Sequence, residues 1–226
     1  MATYYLSVML QSDGTFGRGA GLAGLVDVEI EHDQDGIPFV SGRSVKGLLV
    51  EEWANLRFAL YGQTKDAQPL DALAVKLFGV SGVTQGEEHS HMHLGAATLP
   101  ADLRAALVTD KKLTSSQILA ALTTIRRQTA LDAKDGAPEQ HSLRALRALI
   151  RGTMLVAPIH FSQAPDEKSL ALLAACALGV RRGGSGRNRG RGRLALLLHE
   201  NQDDLGATSF TESCFARFAE EVRACR

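Results

Sequence analysis

Apolar residues recur along this chain at two periods, and the order in which those periods alternate restricts the fold more than any single motif. Tyr4–Gln11 (YYLSVMLQ) is rich in aromatic and branched residues and reads as a strand. From Ser44 to Leu60 the period changes. Val45, Leu48, Leu49, Trp53, Leu56 and Leu60 form one helical stripe, which Ser41 or Ser44 would cap. Leu70–Phe78 reads as a short second helix ending at Gly79, and His91–Leu99 as a strand. Leu149–Phe161 reads as another strand. Pro165, Asp166 and Glu167 then mark a helix start that Leu170–Leu178 continues to Gly179. Leu194–Leu198 (LALLL) reads as a buried strand.

The principal order is therefore strand, helix, strand, strand, helix, strand. That is the pattern of a ferredoxin-like (RRM-like) α+β domain, whose open sheet face and loops suit RNA. Three segments are added to it. Leu25–Glu31 (LVDVEIE) alternates, which places Val26, Val28 and Ile30 on one side and Asp27, Glu29 and Glu31 on the other. Residues at about 100–140 read as an insertion, with a helix at Ser115–Ile125 followed by the turn-rich DAKDGAPEQ. Phe210–Cys225 reads as an amphipathic helix. The expected organisation is one domain over residues 1–200 and a helical tail over 201–226.

Charge narrows the function. The 226 residues hold 25 basic and 25 acidic side chains, so the net charge is zero and argues by itself against a polyanion partner. The distribution argues the other way. Arg181–Arg193 (RRGGSGRNRGRGR) holds six arginines, five glycines and no acid, while acids collect at Glu29–Asp35 and Asp203–Asp204. Screening confines the influence of distant acids to about 10 Å, so a dense basic loop can act locally. No apolar run is long enough to span a bilayer, and the N-terminus lacks a basic region followed by an apolar stretch. No membrane association is expected. Cys176, Cys214 and Cys225 show neither metal spacing nor a disulfide framework, which fits a reducing cytoplasm.

The arginine–glycine run carries the clearest chemistry. Glycine lets backbone amides approach a phosphate, and the guanidinium fork pairs with two phosphate oxygens. The candidate contacts are Arg181, Arg182, Arg187, Arg189 and Arg191; the plainer reading is a solvated basic loop. No GKS or GKT follows, so it is not a Walker loop. A second candidate is the helix start at Ser41, Gly42, Arg43, Ser44 and Lys46, where unpaired amides and a lysine in the first turn would meet a phosphate. An ordinary capped helix is its alternative. His89, His91 and His93 (HSHMH) would share a face on a strand and converge on zinc, or else stand as exposed loop histidines. His141 and His160 read as structural or surface residues. Trp53 and Phe58 read as core. Phe16 would stack on a base or pack locally, and the cysteines read as buried apolar residues.

Several segments resemble the RAMP superfamily of CRISPR-associated proteins. Gly36–Leu49 (GIPFVSGRSVKGLL) is similar to that family's turn and helix start, although Ser41 stands where proline is usual. Lys76–Gly79 (KLFG) resembles a stretch before its second core strand. Gly179–Arg193 resembles the glycine-rich loop before its last strand. Thr129–Gly136 (TALDAKDG), with Leu143 and Ile159, is a weaker match, and the central region is short for an RNA-gripping thumb. The matches fall in family order across residues 4–198, and the opening looks closest to type III-D components.

The resemblance implies a guide-RNA-binding backbone subunit of a type III effector complex. Its partners would be guide RNA, target RNA and other RAMP subunits. It also implies that Asp27 supports Mg2+-dependent cleavage of target RNA, with Asp33 a less favoured candidate. Two alternatives within the family are a non-catalytic structural subunit and a metal-independent guide-RNA-processing endoribonuclease using a histidine base. A zinc-dependent hydrolase built on HSHMH is the reading outside it.

Overall fold

The computed structural model describes residues 3–22, 24–60, 68–80, 82, 89–109, 112–130, 136–137 and 142–224. His141, Cys225 and most of the stretch 129–136 lie outside the described residues. The centre of the fold is a four-stranded antiparallel sheet of β1 (Thr3–Leu10), β2 (Met92–Leu94), β5 (Met154–Phe161) and β6 (Leu194–His199), in the order β2-β5-β1-β6. Two further strands, β3 (Thr123–Gln128) and β4 (Arg144–Leu149), form a separate antiparallel pair. Helix α1 (Gly42–Leu60) connects β1 towards β2, and α5 (Glu167–Gly179) connects β5 to β6. This is the ferredoxin-like arrangement expected from the order of periods.

Alternation along the strands decides which residues reach the helices. Leu6, Val8 and Leu10 of β1, Leu155, Ala157, Ile159 and Phe161 of β5, and Leu194, Leu196 and Leu198 of β6 are buried on one face. Val45 and Leu49 of α1 meet them in the same core, with Leu48, Trp53, Leu56 and Leu60 packed around its edge. Helix α5 is buried all round from Ser169 to Ala177. The reason is its neighbours: α1, α2 (Gln68–Phe78), β6 and α6 (Ser209–Ala224) all pack on it. Asp166 caps its start, accepting the Ser169 N–H at 2.8 Å.

The C-terminal helix belongs to the same core. Cys214 and Phe218 are buried in it, and Phe210 stacks on Tyr4. The Thr211 hydroxyl accepts the Leu198 N–H at 2.9 Å and donates to the Leu198 carbonyl at 2.8 Å, which closes part of the free edge of β6. Among the described residues no helix is long and apolar enough to cross a membrane.

Several local expectations change. The single strand expected over Leu149–Phe161 breaks into β4 and β5, because the chain turns at Arg151–Gly152, where Gly152 takes φ +84°. The helix expected over Ser115–Ile125 ends at Leu122 and runs straight into β3, so the region read as an insertion holds α3 (Ala101–Thr109), α4 (Ser115–Leu122) and β3, whose partner β4 follows it. The strand expected over His91–Leu99 is regular only at Met92–Leu94. Leu25–Glu31 makes isolated bridges, Val28 to Leu146 among them, instead of a continuous strand. Phe58, read as core, is 83% exposed, since it lies off the stripe that faces the sheet. Phe16 packs against the core, as one of its two readings had it.

Candidate nucleic-acid interface

The arginine–glycine run is a folded loop. Arg182 and Arg193 form an antiparallel bridge, Leu194 N–H bonds to the Arg181 carbonyl at 2.9 Å, and Gly183 N–H to the Gly192 carbonyl at 2.9 Å. Residues Arg187–Arg189 make one 3-10 turn at the tip, flanked by Gly186 and Gly190 in the left-handed region. Gly192 shows why glycine is required: its φ is +64°, and a Cβ there would sit 1.9 Å from the Gly183 carbonyl oxygen. The side chains are thereby displayed outward. Arg181, Arg182, Arg189 and Arg193 are exposed and, among the described residues, pair with no acid. Arg187 is different, holding Glu51 of α1 through two bonds of 2.7 and 2.8 Å. Those bonds, with the charge of Glu51, raise the Arg187 pKa further.

The segment that carries Asp27 links this loop to the β3–β4 pair. Thr15 accepts the Ser185 N–H at 2.7 Å, Arg18 N–H reaches the Glu29 carbonyl at 2.9 Å, and Arg147 N–H reaches the Val28 carbonyl at 3.0 Å. Gly14 and Leu149 exchange backbone bonds as well. Glycine-rich backbone thus fills the seam between loop and hairpin. Across that seam, Arg191 Nη1 donates to Gln128 Oε1 at 3.4 Å. Gln128 stands opposite Arg144 in the β3–β4 register, with Arg126 two residues along. The basic surface therefore continues from the loop onto Arg126 and Arg144, both exposed, while the exposed Arg127 lies on the other face of β3. Reading the sequence missed these residues; the signal for Arg126 and Arg127 was the paired arginines in TTIRRQ.

Asp27 is exposed on this seam, and its Oδ2 accepts the Ala145 N–H at 2.6 Å. The expected grouping of Asp27, Glu29 and Glu31 on one exposed face does not form. Glu29 is only 2% exposed, and its Oε1 accepts Arg147 Nε at 2.7 Å. Arg147 Nη1 in turn reaches Thr123 Oγ1 at 3.2 Å. Asp33 shapes a turn: its Oδ1 accepts the N–H groups of Asp35 and Ile37, and its Oδ2 pairs with Arg104. Asp27 thus stands apart from Glu29 and Asp33, whose carboxylates are engaged elsewhere. Among the described residues, no group of three His, Cys, Asp or Glu side chains could hold a metal. The protein builds no metal cage here, and a single carboxylate fits only a Mg2+ whose remaining ligands are waters and RNA phosphates.

The helix-start candidates lie elsewhere along α1. Gly42 packs against the β2 end, where a Cβ would come 2.0 Å from the Leu94 carbonyl oxygen. Ser41 Oγ and Ser44 Oγ are 3.0 Å apart, and Arg43 and Ser44 are exposed. Lys46 is half-buried, with Nζ donating to Ser90 Oγ at 2.9 Å, and burial lowers its pKa. Glu51, the anchor of the arginine loop, is nine residues beyond Gly42, about 14 Å at 1.5 Å per residue. The structure therefore does not merge the two candidate segments into one pocket; they are stations along one helix. The histidines do not converge on zinc either. Of the three, only His93 lies in β2, where it faces His160 across the β2–β5 pair.

A sequence model of the RAMP superfamily matches residues 10–195. No curated protein sequence matches the chain. Among solved structures, it is similar to a chain of the type III-B Cmr-beta complex in its apo state, with a TM-score of 0.60, 12% identity and coverage of 89% of this chain and 98% of that one. A chain of the same complex bound to cognate target RNA aligns with a TM-score of 0.60 and 11% identity, over 91% and 99%. A chain of a type IV-B CRISPR complex aligns with a TM-score of 0.55 and 15% identity, over 87% and 90%. At these identities the structural likeness speaks for the fold, while the family match runs from the end of β1 into β6: the chain belongs to the RAMP superfamily.

Proposed function

We propose that this chain is a guide-RNA-binding subunit of a type III CRISPR effector complex, assembled with other RAMP subunits and presenting its guide to target RNA. The observation that carries the reading is the continuous basic face formed by the folded arginine–glycine loop and the β3–β4 pair. Arg181, Arg182 and Arg189 are exposed and form no ion pair among the described residues, although Arg181 and Arg182 share a cleft with Glu51 and Glu52. Side chains of this kind grip backbone and leave sequence to base pairing. The test is the Arg181→Ala/Arg182→Ala/Arg189→Ala variant. Affinity should fall alike for RNAs of different sequence, and the salt slope of log affinity should drop by about 0.7 for each phosphate no longer neutralised. Unchanged affinity and slope would remove the loop from the binding site.

Cleavage of target RNA is a second reading, favoured by the exposure of Asp27 against β4, where it holds the Ala145 N–H next to Arg144. Ala145 N–H fixes the carboxylate's Oδ2, which would orient it towards a ribose 2′-hydroxyl for in-line attack on the adjacent phosphate. Asp27→Asn keeps shape and hydrogen bonding while removing the charge. The variant complex should bind guide and target yet lose cutting by on the order of a hundredfold or more, as for loss of a positioned acid–base group. Equal cutting by both proteins with a complementary target in saturating Mg2+ would eliminate this role and leave the non-catalytic subunit.

A further inference from the structure

Three elements converge on Asp13. Its Oδ1 accepts the Arg151 N–H at 2.9 Å, and its Oδ2 accepts Arg126 Nε at 2.9 Å together with the Nη2 of the same guanidinium. Its backbone carbonyl accepts the Gly192 N–H at 2.8 Å, which ties it to the arginine–glycine loop. Ser12, Arg151, Gly190 and Arg191 complete a cleft of about 330 Å3 around the pair. Partial burial would push the Asp13 pKa up. The hydrogen bonds from Arg126 and Arg151, with the charges of Arg126 and Arg191, outweigh that and hold it below the usual carboxylate range.

A forked guanidinium, a backbone N–H and a second guanidinium nearby make up the donor set that a phosphodiester takes from a protein. Here a carboxylate of the chain occupies it. The two partners are unequally fixed. The Asp13 side chain is 15% exposed and bonded to backbone, whereas that of Arg126 is 52% exposed and free to turn outward. The neighbouring Arg127 and Arg144 pair with no acid among the described residues.

We propose that Asp13 is a built-in surrogate for an RNA phosphate, holding the Arg126 fork in the free protein and surrendering it to a phosphodiester of bound RNA. This rests on the reading of the basic face as an RNA surface, and it makes Asp13 a brake on unspecific binding. Each RNA engaged must displace one internal anion, so affinity is set below what the arginines alone would reach.

The test uses the full chain and a labelled oligouridylate, titrated at several salt concentrations. Asp13→Asn keeps an Oδ1 acceptor for the Arg151 N–H and removes the competing charge. It should bind roughly two- to fivefold tighter, the worth of one exposed ion pair, with a salt slope steeper by up to about 0.7. Arg126→Ala alone should weaken binding and flatten the slope by a similar amount, and Asp13→Asn should bring a smaller gain on that background than on the wild type, because the fork that Asp13 restrains is gone. Thermal melts establish that each variant is folded, and the Arg126→Ala slope is diagnostic even if Asp13→Asn does not fold. Binding by Asp13→Asn equal to or weaker than wild type, or an unchanged slope for Arg126→Ala, would overturn the proposal and make the pair a structural tie. The Arg181→Ala/Arg182→Ala/Arg189→Ala variant in the same assay separates the two levels. If it weakens binding while Asp13→Asn brings no gain, only the surrogate falls; if it too is silent, the RNA reading falls with it.

Discussion

Glu29→Gln is the sharpest probe of how the Asp27 segment is held. Glu29 is 2% exposed, its partner Arg147 has a side chain 10% exposed, and the two meet at 2.7 Å. The same Glu29 oxygen also accepts the Ile30 N–H at 3.0 Å. At the effective dielectric appropriate to such sites, a pair of unit charges about 4 Å apart interacts by about 4 kcal/mol. Removing one partner of a buried pair costs about 3–5 kcal/mol, because the other charge is left without compensation. Glutamine can still accept one guanidinium N–H, so the lower end, about 3 kcal/mol, is expected. For a chain of this size that corresponds to a fall of about 6–12 °C in Tm. Urea denaturation should show a lower midpoint with an unchanged slope. The double variant Glu29→Leu/Arg147→Met removes both charges and should return to within about 1–2 kcal/mol of wild type. A loss below about 1 kcal/mol for Glu29→Gln would refute the claim that this ion pair is desolvated and clamps the segment to β4.

Other expectations bear on the helices and their termini. Gly42→Ala drives a Cβ into the Leu94 carbonyl and should cost about 1–3 kcal/mol in a urea melt. By contrast, Gly47→Ala on the same helix meets nothing within 4 Å and should stabilise by up to about 1 kcal/mol. Asp166→Ala removes the cap of α5 and should cost about 1 kcal/mol at neutral pH. Partial burial would raise the Asp166 pKa, yet the bonds from Ser169 and Lys76 bring it from 3.8 to about 2. Its contribution is therefore full above the ordinary carboxylate range and lost as pH falls through about 2. The wild type and Asp166→Ala should differ in urea midpoint near neutral pH and draw together as pH falls through about 2, and a difference undiminished there would contradict the assignment.

The ferredoxin-like core was legible because periodicity reports burial directly. Leu6, Val8 and Leu10 alternate, and the α1 stripe repeats at helical spacing, so local pattern and tertiary position agree. Parity failed at Glu29. Alternation assigned it to solvent, but its environment is decided by Arg147, 118 residues away, and no local pattern carries that information. The break between β4 and β5 was hidden for a similar reason. Apolar residues continue through Leu149–Phe161, while the turn depends on Gly152 at positive φ. The arginine–glycine loop was legible as a dense basic segment by composition alone. Its continuation onto Arg126 and Arg144 was not, since it rests on Gln128 meeting Arg191 across 63 residues. Sequence also could not show that Arg187 is already occupied by Glu51, which moves the available charge to Arg181, Arg182 and Arg189.

The central claim is that this chain grips a CRISPR guide through its basic face. The most direct measurement is to express the chain with its neighbouring subunits and a CRISPR array, purify the assembly, and sequence the RNA that comes with it. The account predicts RNA whose ends carry repeat sequence, retained at moderate salt by the wild type and depleted in the Arg181→Ala/Arg182→Ala/Arg189→Ala variant. Recovery of no RNA, or of cellular RNA without repeat sequence, from a folded and assembled complex would contradict it.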